Sequence, residues 1–318
     1  MGVSALTPLA LAKPVIVTSI KPVSMVVAAI AGDKAEIQQI VSSTASPHDF
    51  AMRPSDLKKI INADTVVWVG ESLERFLEKP LENAGKEESS IEWLALDGMA
   101  LHNFAKEHHH DEDEAEEVHD DHEAHGDHEH GDHEEHGDHD EHEGHHHDGV
   151  DPHVWLSPDN ARILAKAVTA RLVSLDSLNA EYYKGNLASF EKGLSAKDAE
   201  IRNALNKVNK VPYIVFHDGY SYFEQHYGLS HAGEITVSPE RKPGAKKVAE
   251  IRHEIQENKV QCVFSEPQFS PAIVKTLLEG SDVKTAPLDP LGSKVKMGTN
   301  AYFSFLDSLS GQFLSCLG

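Results

Sequence analysis

Short apolar runs of strand length alternate with helical segments of about ten residues along most of this chain, and that alternation limits the fold more than any other feature. Residues 14–20 (PVIVTSI) read as a buried strand, 23–31 as a helix closed by Gly32, and 35–41, 65–69 and 91–96 as further strands. Helical patterns at 54–62 and 73–84 lie between them. After residue 150 the pattern returns, with strands at 211–217, 232–237, 260–265 and 283–288 and helices at 220–226, 245–258, 270–279 and 301–317. Strands joined through helices pair in parallel by right-handed crossovers, so the expected class is α/β with two lobes, each built on a parallel βα sheet.

Two helical runs separate the halves. Ser157 and Asp159 are placed to cap a helix running through residue 174. A second run, 178–208, is interrupted only by Gly185 and Gly193 and would extend about 45 Å at 1.5 Å per residue. That is long enough to join the lobes as one rigid helix with a cleft between them. The 318 residues then divide as 1–12, 13–174 (first lobe), 175–209 (linking helix) and 210–318 (second lobe).

Composition matters at one place. Between Glu107 and Asp148 lie 20 acidic residues, 15 histidines and no lysine or arginine. Removing those 20 from the chain's 52 acidic residues leaves 32 against 29 basic, so the formal charge of −23 belongs to this segment and the remainder is nearly neutral. No basic footprint for nucleic acid is present. A segment with only Ala115, Val118 and Ala124 as apolar side chains cannot offset its chain entropy by burial, so 107–148 is expected to be a disordered loop within the first lobe. Its imidazoles (His108, His109, His110, His119, His122, His125, His128, His130, His133, His136, His139, His142, His145, His146 and His147) are largely neutral near pH 7 and would act as weak, exchangeable metal ligands. The HExxH pattern at His142–His146 arises by chance in so biased a tract, and its glycine argues against a helix.

The first twelve residues are small and apolar and end in Ala10-Leu11-Ala12, the pattern of a secretory signal remnant. No later stretch has the 18 or so apolar residues of a membrane span, and the expectation is a soluble, exported chain. Cys262 lies in an apolar strand and Cys316 near the end of the last helix; they are either bridged in an oxidising compartment or left as two buried thiols.

Outside the acidic segment, His48 lies in a loop after the second strand, His153 just after the segment, and His217 and Asp289 at strand ends. Ligands of open α/β sheets bind beyond the carboxyl ends of strands, so all four could reach one crevice between the lobes. Three imidazoles with a carboxylate or water form a suitable tetrahedral set for Zn²⁺. Glu266, at another strand end, is a further candidate for the cleft, whereas His102, His226, His231 and His253 read as structural or surface residues.

The segments Ser46-Pro47-His48-Asp49-Phe50, Arg53-Pro54-Ser55-Asp56, His153-Val154-Trp155-Leu156-Ser157-Pro158, Phe216-His217-Asp218 and Leu288-Asp289-Pro290-Leu291-Gly292 occur in this order. Together they resemble the ZnuA family of periplasmic zinc-binding proteins that serve high-affinity ABC importers, from about Lys13 to the C-terminus. The resemblance implies two lobes with a connecting helix, Zn²⁺ held as transported ligand by His48, His153 and His217, a disulfide between Cys262 and Cys316, and delivery to an inner-membrane permease by a periplasmic, monomeric, non-enzymatic protein. It leaves the fourth ligand to Asp289 or a water, because Pro47 stands where some zinc members carry a carboxylate. A third histidine at 217 favours zinc over manganese. The rival readings are a zinc hydrolase, for which no dedicated general base is evident, and a cytosolic metallochaperone, for which no phosphate-binding loop is present.

Overall fold

The computed structural model describes residues 12–104, 149–236, 239 and 243–318. Their eight strands form two wholly parallel four-stranded sheets. The first contains β1 (Val15–Thr18), β2 (Glu36–Gln39), β3 (Thr65–Trp68) and β4 (Ile91–Glu92), in the order β2-β1-β3-β4. The second contains β5 (Tyr213–His217), β6 (Gly233–Thr236), β7 (Cys262–Ser265) and β8 (Lys284–Pro287), in the order β6-β5-β7-β8. In each the chain enters at an inner strand, moves to one edge, then crosses back to the other side. This creates a switch point between β1 and β3 in one sheet and between β5 and β7 in the other. The inner strands β3 and β5 are buried at every position, as expected for parallel strands covered on both faces, whereas the edge strand β2 (EIQQ) is not.

Helix α1 (Lys21–Ala31) is buried along its whole length because it packs against α5 (Pro158–Leu175), α6 (Ala180–Leu205) and α10 (Ala301–Leu317) as well as its own sheet. It begins at Lys21, two residues before the expected start, and Pro22 in its first turn has φ already set for the helix. Gly32 ends it at φ 55°, and a Cβ there would fall 2.1 Å from the Tyr182 hydroxyl. Between β3 and β4 the expected single helix is instead α3 (Glu71–Glu74), a 3₁₀ turn (Arg75–Leu77) and α4 (Glu78–Asn83). Pro80 supplies no N–H to the preceding turn, which accounts for the break. The expected strand at 91–96 shortens to two residues, because the chain turns at Trp93 to bury the indole, whose Nε1 donates to the Asn160 carbonyl at 3.1 Å.

Ser157 caps α5 by accepting from the Asn160 amide at 3.2 Å. The long helix α6 has 26 residues and so extends about 39 Å; a 3₁₀ turn at Ser177–Asn179 removes its expected first residues. It packs along α5, α1 and α10, and one apolar cluster runs from Ile16 in the first sheet to Phe264 and Leu317 in the second half. The remaining helices are α7 (Ser221–Tyr227), α8 (Ala245–Glu257) and α9 (Ala272–Leu277). A disulfide joins Cys262 of β7 to Cys316 of α10, the bridged alternative of the two left open above. Among the described residues no helix is long and apolar enough to cross a membrane.

Candidate metal centre

The switch point of the second sheet places His217, the last residue of β5, beside Glu266, which directly follows β7. Glu266 Oε1 accepts from His217 Nδ1 at 2.6 Å, and both side chains are almost fully buried. Across the cleft, His153 stands immediately before the 3₁₀ turn Val154–Leu156 that leads into α5. Its Nδ1 donates to Asp151 Oδ1 at 2.6 Å, and its backbone N–H donates to the same oxygen at 3.0 Å. Each ring therefore carries its hydrogen on Nδ1 and leaves Nε2 with a lone pair. Those two Nε2 atoms face each other at 3.1 Å.

Two facing lone pairs in a buried site repel unless a metal ion or a shared proton lies between or beside them. Nitrogens held at 2.0–2.1 Å by one tetrahedral zinc lie about 3.3 Å apart, close to the spacing found. His48, from the loop between β2 and α2 (Pro54–Asn62), completes the group: its ring centroid is 5.4 Å from that of His153 and 5.7 Å from that of His217. One ligand atom from each of the three lies within 4.8 Å of the others. The donor set, three imidazoles of which His153 and His217 are oriented by carboxylates, fits zinc.

The electrostatics agree. Burial opposes a charged His217 ring, but the Glu266 carboxylate, with Asp151 and Asp218 farther off, outweighs it and raises the pKa above the ordinary histidine value. Burial likewise opposes the Asp151 anion, yet His153 and the hydrogen bonds it receives lower its pKa. The Asp151 carboxylate is thus held as an anion that keeps the His153 imidazole oriented.

Ser46, Pro47, Trp155, Phe269, Pro290 and Leu291 wall the site, leaving about 10 Å³ for the centre of a water-sized sphere, room for about one ion or water. Trp155 Nε1 donates to the Pro290 carbonyl at 2.8 Å and so closes one side from the opposite lobe. Gly219 closes another. A Cβ there would fall 2.4 Å from His217 Nε2 and 2.9 Å from His153 Nε2.

The three expected histidines thus converge, and Glu266 lies in the cleft as the partner of one of them. Asp289 is turned to other work. Its oxygens accept from Gln268 Nε2 at 3.0 Å, the Leu291 amide at 3.2 Å, and the Ser293 amide and hydroxyl at 2.6 Å each, and Lys21 stands nearby. His226 and His231 pair with Asp198 and Glu224, and His253 is exposed beside Glu257. The fifteen histidines of 107–148 and the segment 1–11 lie outside the described residues. Asp151 and Gly219 are functional residues that the motif pattern does not single out. Their signal was local, an acid two positions before a candidate ligand and a glycine two positions after one.

Two parallel-sheet lobes with a three-histidine cluster between them, two of its rings buried and His48 half-buried, define a two-lobed metal-binding protein. More particularly, the chain belongs to the ZnuA family, the periplasmic component A of zinc-uptake complexes, whose family pattern matches residues 16–316. It is 39% identical over 310 residues to the high-affinity zinc uptake system protein ZnuA of Yersinia pestis, covering 98% of this chain and 93% of that one. To the protein of the same name from Haemophilus ducreyi it is 40% identical over 303 residues, covering 95% and 93%. A crystal structure of ZnuA superimposes with a TM-score of 0.74 at 21% identity, covering 96% of this chain and 100% of that one, a likeness of fold.

Proposed function

We propose that this protein captures one Zn²⁺ through His48, His153 and His217 and delivers it to the permease of an ABC importer in the inner membrane. The observation that carries the reading is the pair of carboxylate-anchored imidazoles whose Nε2 lone pairs meet at 3.1 Å. In this reading zinc is cargo and the protein is not an enzyme. A water completes the coordination, because the Asp289 oxygens are engaged by Gln268, Leu291 and Ser293. Residues 13–174 and 210–318 form the two lobes and 175–209 the link between them. The His- and acid-rich segment 107–148 acts as a collector that holds several zinc ions weakly and raises their concentration near the cleft. The protein works as a periplasmic monomer and binds no nucleic acid.

Competition titration against a chelating dye, with a crystallographic anomalous map at the zinc edge, tests this directly. The chain should show one tight site that His153→Ala and His217→Ala each abolish and His48→Ala weakens. Deleting 107–148 should lower the zinc stoichiometry and keep the tight site. Loss of tight binding in that deletion would overturn the division of labour, and an ion bonded to Asp289 would overturn the water.

A further inference from the structure

The orientation of His153 depends on groups beyond Asp151. Asp151 is 1% exposed and uses one oxygen, Oδ1, on His153. The other, Oδ2, accepts a hydrogen bond from the Ser221 hydroxyl at the start of α7. That hydroxyl in turn accepts from His102 Nδ1 at 2.9 Å. The His102 ring lies flat on Tyr222, with centroids 4.1 Å apart and planes 7° from parallel. The Tyr222 hydroxyl accepts from the His102 amide at 3.0 Å and donates to the Asp151 carbonyl at 2.7 Å. The strand pair that carries these residues is closed by the bridge between Asn103 and Val150 and by the Asp151 amide donating to the His102 carbonyl at 2.8 Å.

Two features make this more than a surface contact. The line converges on the Asp151 carboxylate: His102 N–H donates to the Ser221 hydroxyl and Ser221 O–H to Oδ2, while His153 N–H donates to Oδ1 from the other side, so every donor has its acceptor. The line also crosses between lobes: His102, Asp151 and His153 come from the first half of the chain, whereas Ser221 and Tyr222 start a helix of the second. Oδ1 is fixed by the His153 amide and ring, and the Ser221 hydroxyl on Oδ2 sets the remaining freedom, the tilt of the carboxylate plane.

We propose that Ser221 and His102 are positioning residues for zinc capture, fixing the Asp151 carboxylate, and through it the tautomer and ring plane of His153, from across the seam between the lobes. The inference rests on His153 being a zinc ligand. It makes affinity depend on the registration of α7 against the neck formed by His102, Asn103 and Val150. By reciprocity, zinc at His153 must be felt at His102, where the chain leaves for its His- and acid-rich segment.

The test uses the full chain with Zn²⁺ in dye competition and Co²⁺ added to one equivalent or less, so that the first site filled is read from its visible spectrum. Ser221→Ala should weaken zinc about 10- to 100-fold and alter the cobalt bands, whereas Ser221→Thr should restore both. His102→Phe keeps the stack on Tyr222 but lacks the donor and should weaken zinc in the same direction. His102→Asn keeps a donor without the stack and should retain most of the affinity. Melting of the metal-free variants reports any structural loss separately. Wild-type zinc affinity and cobalt spectrum in Ser221→Ala would overturn the proposal, as would a weakening that Thr fails to restore. The same holds if His102→Phe affects melting alone, or if His102→Asn weakens zinc as much as His102→Phe does. Absence of tight binding in the unmutated chain would instead count against the zinc reading itself.

Discussion

Gly219→Ala is the sharpest perturbation of the site, because it adds one methyl group and no polarity. The new Cβ would lie 2.4 Å from His217 Nε2, where ordinary contact begins near 3.4 Å, so the ring must retreat by about 1 Å. It cannot swing away freely. Its Nδ1 is held by Glu266 at 2.6 Å, and His153 Nε2, 2.9 Å from the same Cβ, blocks the other direction. Zinc–nitrogen bonds tolerate about 0.2 Å, so a shift of that size removes a ligand. The expected loss is about 100-fold in affinity, or about 2.7 kcal/mol. The backbone should accept alanine, since Gly219 is not among the positive-φ glycines. The assay is dye competition for zinc with melting of the metal-free protein as control. A variant that binds zinc as tightly as the original would refute the argument that the facing Nε2 atoms form the site.

Other outcomes follow from the same geometry. Glu266→Gln should weaken zinc about 10- to 100-fold, since a neutral amide orients the His217 ring less strongly; unchanged affinity in competition titration would count against the pairing. Glu74 is fully buried at the end of α3, where its Oε2 accepts from the amides of Val69 and Gly70, and burial raises its pKa from 4.5 to about 7. The folded state holds its proton more tightly than the unfolded state. The corresponding stability is therefore fully present below pH 4.5 and is lost as pH rises through 7, by about 3 kcal/mol. Glu74→Gln should flatten this dependence in urea unfolding between pH 5 and pH 8, and an undiminished slope would show that another group is responsible. Cys262→Ser with Cys316→Ser opens a closure of 54 residues and should cost about 4 kcal/mol in denaturant unfolding under oxidising conditions. A much smaller loss would mean that residual structure already confines this segment in the denatured state.

Much of this protein is legible in its sequence because the relevant physics is local. Strand and helix periodicity marks all eight strands and the long helix, since each element must present its own apolar face to be stable. Pro80 even announces the break between α3 and α4, although the 73–84 pattern taken alone reads as one helix. The ordered motifs around His48, His153 and His217 are short enough to be seen along the chain.

Tertiary structure decides what is set by distance through space. Glu266 reaches His217 because β7 is the neighbour of β5, a pairing between residues 49 positions apart that no local pattern encodes. Asp289 and Glu266 look alike in sequence, each an acid at a strand end before a proline. The fold turns one to Gln268, Leu291 and Ser293 and aims the other at an imidazole. Ser221 and His102 show no metal-related signal at all until α7 is packed beside the first lobe. Residue types and their alternation determine which elements form and which side chains can bind zinc. The order of strands decides that Glu266 orients His217, and the docking of one lobe on the other decides that the two imidazoles meet, because a hydrogen bond of 2.6 Å requires a position that only the assembled core fixes.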